Sequence, residues 1–438
     1  MSHVSNNIIR AYSLPLILGV LTALLVANVA PHWYEYYIEE YLIFGKFTFA
    51  WFVENVFMVL FFGTAGIEIV HALSPGGALN PMKKAVTPLM ATLGGVLGPA
   101  GLFLLLNHFF GHPDWANGWG ICTATDIALA WLFAKLVFGK DHPAVSFLLL
   151  LAVADDAIGL VIIAVFYPTP GKAIQPIFLL LVLAGMLVAF ALRKLKVKTY
   201  WPYILGGGIL CWLGLFFTGV SPALSLVFVV PFLPNNKKEF EALEKFGKET
   251  TLTKFEHNVS PIVDYGLFFF GFAMAGVRFS VMSTLTFLVM ISLIVGKMLG
   301  ISLFTFVFGH GFKFGLPKGM SNLDVILAGI VGGIGLTVAL FVTQSAYTDL
   351  SIQGAAKMGA LFSVAAGIFA LIIHIIFRPI LEREDKEAEM AEEAIEKLHE
   401  HHDHYDHKAG PSPQSKSPDR FGPGFFYLVQ PWKSFRFS

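Results

Sequence analysis

Residues 151–159 read LAVADDAIG, and the fold turns on this stretch. Two adjacent carboxylates, Asp155 and Asp156, stand inside an apolar run that extends from about Phe147 to Phe166. If the run is a membrane helix, both acids lie near the bilayer centre. An acid there costs about 2.5–3.5 kcal/mol on insertion scales, and two ionised neighbours also repel each other. A chain that carries this penalty twice uses it, most simply to hold a cation or a proton.

The surrounding composition agrees with a membrane setting. The chain has 438 residues, 55% of them hydrophobic and 14% charged, against about 25% charged in soluble domains. Its mean hydropathy is +0.68. The formal net charge is zero, which suggests no nucleic-acid partner. Cys122 and Cys211 lie in apolar segments and read as packing residues, neither a disulfide framework nor a zinc site. The N-terminal stretch has no small-residue cleavage site, so it reads as the first helix rather than a signal peptide.

Hydrophobic length gives about twelve spans. They fall near residues 12–30, 53–71, 87–106, 119–138, 144–166, 174–192, 201–216, 220–232, 260–276, 285–308, 323–344 and 354–377. Between the first two, an aromatic and acidic linker reads as an interfacial segment or short hairpin. Residues 233–256 read as a soluble loop. With the N-terminus in the cytoplasm, the inner loops carry Lys83, Lys84, Lys135, Lys140, Arg193, Lys194, Lys196, Lys198, Lys237, Lys238, Lys245, Lys248, Lys254, Lys313 and Lys318. The outer loops carry only Lys46, Lys172, Arg278 and Lys357. Positive charge marks the cytoplasmic side, so an even number of spans with both termini inside is expected.

The spans divide the chain into a transmembrane domain, 1–380, and a cytoplasmic tail, 381–438. The tail is charged, then histidine-rich, and reads as partly disordered. His399, His401, His402, His404 and His407 suit weak transition-metal binding, but a solvated tail is the stronger reading.

Three further features bear on chemistry. Span four carries Asp126 in CTATDIALA, with Thr123 and Thr125 beside it and Gly118 and Gly120 just before. Span eleven carries GGIGLT, which supplies Gly332, Gly333, Gly335 and Thr337. The glycines of either span alone are read equally well by close helix packing. A pair of interrupted spans in the two halves favours two broken helices meeting at a midplane site. Span ten carries Lys297, too far from either end to snorkel easily. Asp155, Asp156 and Asp126 are the acids deep enough to answer it. Neighbours on a helix point about 100° apart, so one acid of the pair can face Lys297 while the other faces a cavity. Low dielectric disfavours charge on acids and lysine alike, so protons and cations compete for the site and the titrations couple. Glu54, Asn55 and Glu68 bracket span two, and Glu256 and His257 open span nine; ordinary helix-end roles account for them by physics alone.

At this point the chain resembles the NhaA-type sodium/proton antiporters, themselves a recognised example of inverted-repeat transporters. The resemblance runs from about Tyr12 to Phe377. It rests on TATDIALA at 123–130, DDAIG at 155–159 followed by IIAVFY, GKMLGIS at 296–302 and GGIGLTVALFV at 332–342, with FFGTAGIEI at 61–69 and FEH at 255–257. It implies an all-α polytopic membrane protein of about twelve helices, with inverted repeats and two broken helices crossing at the midplane. It implies Asp156 as the principal carrier of cation and proton, and Asp155 as the partner of Lys297, the two acids together receiving Na+. It implies Thr125 and Asp126 at the span-four break, balancing opposed half-helix dipoles. Glu68, Glu256 and His257 match a cytoplasmic pH-sensing funnel. The residues after Glu68, IVHAL, depart from the basic pair usual there.

The expected activity is exchange of cytoplasmic Na+, and Li+ with it, for external H+ by alternating access. It is expected to be electrogenic, with more than one proton per cation, and pH-regulated. No cofactor is expected beyond the transported ions; the partners are membrane lipid and these ions, with a homodimer left open. The expected location is the bacterial inner membrane. The alternative is a sodium-coupled organic-solute symporter of bile-acid-transporter-like fold. No nucleophile–base pair or HExxH spacing supports an enzyme.

Overall fold

The structure, a computed structural model, describes residues 13–43, 45–74, 77, 79–80, 82–235, 250–311 and 319–377. The tail after residue 377 lies outside the described residues. A chain in lipid must satisfy its backbone polar groups internally, and among the described residues the architecture is helical. The elements are α1 Leu14–Val29, α2 Phe49–Leu73, α3 Met82–Phe110, a 3-10 segment Pro113–Cys122, α4 Ile127–Phe138, α5 Pro143–Phe166, α6 Pro176–Lys194, α7 Tyr203–Thr218, α8 Pro222–Phe232, α9 Thr251–Met274, α10 Thr284–Gly309, α11 Asn322–Gly332, α12 Thr337–Ala346 and α13 Leu350–Phe377.

Six of these helices are long and apolar enough to cross a membrane, and two bent pairs raise the number to eight. The shorter α1, α7 and α8 and the 24-residue α9 fill the remaining places of the expected twelve spans. The first bent pair is Pro113–Cys122 with α4, at 60°; the second is α11 with α12, at 50°. In each half of the chain a long helix precedes the bent pair and another follows it: α3 and α5 in one, α10 and α13 in the other. α3 and α10 pack against each other through glycine. A Cβ on Gly94 would lie 2.1 Å from the Gly300 carbonyl oxygen, and one on Gly98 would lie 2.5 Å from that of Gly296. Such backbone-to-backbone approach is how helices associate where apolar burial supplies no driving force. It also fixes the height of Lys297, the next residue after Gly296. A π-helical turn, Ser292–Gly296, directly precedes it; such turns often re-aim a side chain at a functional position.

Several expected boundaries move, each for a capping reason. α2 opens at Phe49 because the Thr48 hydroxyl accepts a hydrogen bond from the Trp51 N–H at 3.1 Å. The linker before it is short helical turns, Pro31–Glu35 and Tyr36–Glu40, then a single antiparallel bridge between Ile43 and Phe47. α9 starts at Thr251, inside the expected loop, because Thr250 caps it through the Thr253 N–H at 3.2 Å. Glu256 and His257 therefore sit on the second turn rather than at the opening. α8 is 3-10 rather than α-helical, with Pro222 and Pro231 withholding N–H donors.

The largest correction concerns Lys357. Asp349 caps α13 by accepting from the Ser351 and Ile352 N–H groups at 2.7 and 3.2 Å. The Ser351 hydroxyl and these two N–H groups hold the Asp349 carboxyl below its usual range. The helix therefore begins at Leu350, and Lys357 is a buried helical residue, not part of an outer loop.

Candidate cation and proton site

The helix breaks make the site. Between Cys122 and Ile127, and again between Gly332 and Thr337, the helical ladder stops and the two unwound stretches cross. The Asp126 N–H donates to the Ile334 carbonyl at 2.7 Å. A Cβ on Gly335 would lie 2.8 Å from the Ala124 carbonyl oxygen, and one on Gly333 would lie 2.7 Å from that of Leu293. The glycines of span eleven thus allow three backbones to meet, and the Gly335 N–H is satisfied by the Ser363 hydroxyl at 3.1 Å.

Each break leaves a helix N-terminus with unpaired N–H groups and a partial positive charge. Asp126 serves both. One carboxylate oxygen accepts from the Leu129 N–H at 3.0 Å, capping α4. The other accepts from the Thr337 N–H at 3.2 Å, at the start of α12. A single anion between two converging helix ends accounts for the acid in span four without assigning it to the lysine.

Lys297 is answered by Asp155. Its ammonium forms a buried ion pair with Asp155 Oδ2 and donates to the Thr125 hydroxyl at 2.5 Å. Thr125 Oγ1 lies 2.7 Å from Asp155 Oδ2 and 2.9 Å from the Gly332 carbonyl. A hydroxyl has one proton to give, so Thr125 accepts from Lys297 and donates to one of these two oxygens. The triad ties α5, α10 and both breaks together.

Asp156 faces elsewhere. It lines a cavity of about 240 Å3 shared with Glu68, Thr125, Asp126, Trp131, Asp264 and Thr337. Asp155 does not line it. The 100° step between neighbouring residues therefore does what the sequence allowed: one acid is held by the lysine and the other is presented to open space. Among the described residues, Asp155 Oδ1 and Asp156 Oδ1 are buried without a hydrogen-bond partner. Two such carboxylate oxygens are suitable acceptors for a proton or ligands for an alkali cation. Asp156 also borders a gap too small for water, lined by Phe62, Ala65, Leu160, Ile163 and Val338, and Phe62 is set edge-on to Phe341 at 5.0 Å between ring centres. Carboxylate- or histidine-rich clusters of three or more residues able to hold a metal do not occur among the described residues.

The structure gathers Thr125, Asp126, Asp155, Asp156, Lys297, Gly332, Gly333, Gly335 and Thr337 at one crossing, while Glu68 stands at the cavity mouth. It does not bring His257 in: that side chain is exposed. Glu256 meets His71 instead, with Nε2 and Oε2 3.1 Å apart across α2 and α9. The sequence signal for His71 was its place on the turn after Glu68. Asp264 was also missed, although an acid inside span nine carries the same signal as those of span five.

The family described as Na+/H+ antiporter 1 matches residues 7–374. A Na+/H+ antiporter NhaA of Desulfitobacterium hafniense is 53% identical over 373 residues, covering 84% of this chain and 94% of that protein. That of Geobacter sulfurreducens is 53% identical over 369 residues, 84% and 96% of the two chains. Among solved structures, the sodium proton antiporter MjNhaP1 from Methanocaldococcus jannaschii aligns at a TM-score of 0.54 and 15% identity, over 83% of this chain and 92% of that one, a likeness of fold. With two broken helices crossing at a lysine–aspartate site and a family match over most of its length, the chain is an integral membrane protein that belongs to the Na+/H+ antiporter 1 family.

Proposed function

We propose that the protein is a secondary antiporter that exports cytoplasmic Na+, and Li+ with it, in exchange for external H+. The observation that carries the reading is Asp156, an acid with an unpartnered oxygen at the head of an open cavity, next to an acid already committed to Lys297. In it Asp156 carries the cation or the proton, Asp155 and Lys297 form the titrating pair behind it, and Asp126 and Thr125 hold the breaks. Alternating access then opens the Phe62–Phe341 side and closes the Glu68 side. Because the lysine titrates along with the acids, more than one proton moves per cation and the exchange is electrogenic. The setting is a bacterial inner membrane, with both termini in the cytoplasm and the Glu68 cavity facing inward. The relatives' names leave an organic-solute symporter without support.

In proteoliposomes, an imposed proton gradient should drive sodium tracer against its own gradient, and a protonophore should abolish the accumulation. Sodium movement indifferent to the proton gradient overturns the reading.

The His71–Glu256 contact supplies a pH-dependent link. It is an ion pair only while the imidazole is protonated, so the tie between α2 and α9 is present at low pH and is lost as rising pH takes the proton from the imidazole. Both side chains are 42% exposed, and such a pair is worth about 0.2–1 kcal/mol, enough to bias a moving helix but not to hold the fold. His71→Arg keeps the tie charged at alkaline pH. If loss of the tie activates exchange, the alkaline activation should flatten or move upward in that variant, as read from a pH–rate profile in vesicles. A profile identical to wild type removes His71 from regulation.

A further inference from the structure

A second cavity, of about 200 Å3, lies where the end of α1 and the segment after it meet the start of α13, and Tyr34, Glu35, Glu39, Arg278, Gln353 and Lys357 are among the residues lining it. The Arg278 guanidinium is ion-paired with Glu35, which neutralises both. Lys357 is different. It is 6% exposed and lines the cavity, yet it makes no ion pair or hydrogen bond among the described residues. Glu39 and Glu54 are the carboxylates within electrostatic reach of it. Glu54 sits on the π-helical turn of α2, Val53–Phe57, fourteen residues before Glu68 and so about 20 Å from it along the helix. A packed lysine without a direct partner is an unfavourable arrangement, and helix packing alone would be better served by a leucine or methionine.

With Arg278 and Glu35 cancelled, the acidic and basic residues left in the cavity lining are Glu39 and Lys357, and Glu54 lies within electrostatic reach outside the lining. Low-dielectric walls focus that field onto whatever passes. Two carboxylates alone would gather sodium and hold it at the exit. The ammonium cannot leave, so it offsets part of their attraction at every moment. We propose that Lys357 is a tethered competitor cation in the outer vestibule, which weakens the hold of Glu39 and Glu54 on sodium and so favours release over re-entry. This rests on the antiporter reading above, with the cation leaving by this face.

The test is sided kinetics. Exchange is measured in vesicles of known orientation, with sodium offered at the outer face or at the inner face. Lys357→Gln should lower the outer-face KM for sodium by about tenfold and leave the inner-face KM within about twofold. Sodium on the outer side should then inhibit export at correspondingly lower concentration. Lys357→Arg, which keeps the charge, should match wild type on both faces. Glu54→Gln, which keeps the lysine, should raise the outer-face KM, and it carries the test if Lys357→Gln fails to fold. An outer-face KM unchanged in both neutralising variants, or moved equally on the two faces, overturns the proposal. If the wild type itself shows no proton-coupled exchange, the antiporter reading has failed and this inference falls with it.

Discussion

Asp156→Asn is expected to abolish sodium/proton exchange while leaving the protein folded. The amide occupies the same volume, so the helix packing of α5 is preserved. It has no proton to release in the relevant range and no charge to offer a cation. Two unit charges about 4 Å apart interact by about 4 kcal/mol at an effective dielectric of about 20, and each 1.4 kcal/mol is a factor of ten in binding. Loss of that interaction alone lowers cation occupancy by roughly a thousandfold. The measurement is proton-gradient-driven sodium uptake in proteoliposomes, with thermal denaturation in detergent as the control for folding. Full exchange by the variant would move the carrier role to another residue. Asp155→Asn separates the two neighbours. It leaves Lys297 buried without its acid, so its main effect should be on stability, a different failure from that of Asp156→Asn.

The two acids differ because of what α10 and the breaks present to each, and this explains how much of the site the sequence discloses. An acid or a lysine inside an apolar span is visible in one dimension, since the cost of placing it there is large. Asp126, Asp155, Asp156 and Lys297 are legible for that reason. The breaks are legible because threonine and glycine runs interrupt two otherwise apolar spans. Pairing is another matter. That Lys297 takes Asp155 depends on the rotational phase of α5 against α10, and the Gly94–Gly300 and Gly98–Gly296 contacts of α3 with α10 set the height of Lys297. That Asp126 spends its oxygens on Leu129 and Thr337 requires the two breaks to cross, a contact spanning 211 residues of chain for Thr337. His71 was passed over because its partner lies 185 residues away. Lys357 stands so near the start of the run from Gly354 that it counts with the outer loop by sequence, whereas the Asp349 cap starts the helix at Leu350 and carries Lys357 two turns inside it.

Lys297→Ala should produce the second large effect, on stability and on charge movement together. The ion pair with Asp155 is fully buried. Removing one member of a buried pair costs about 3–5 kcal/mol, because the other is left uncompensated in a medium that solvates it poorly. Asp155 keeps only the Thr125 hydroxyl, and that hydroxyl has lost its own donor. The thermal midpoint should therefore fall. Replacing both members at once, Lys297→Met with Asp155→Asn, should recover most of the loss, since swapping a whole buried pair for neutral groups of similar size is often harmless. If the double variant is as unstable as the single one, the loss belongs to packing rather than to stranded charge. Transport separates two roles that stability cannot. If Lys297 gives up its proton during each cycle, a variant without it moves one proton fewer, and residual exchange ceases to respond to the membrane potential. If the lysine only anchors Asp155, the double variant exchanges with unchanged electrogenicity. The reading is the response of sodium uptake to a potassium diffusion potential in proteoliposomes, taken for wild type and the double variant at the same pH.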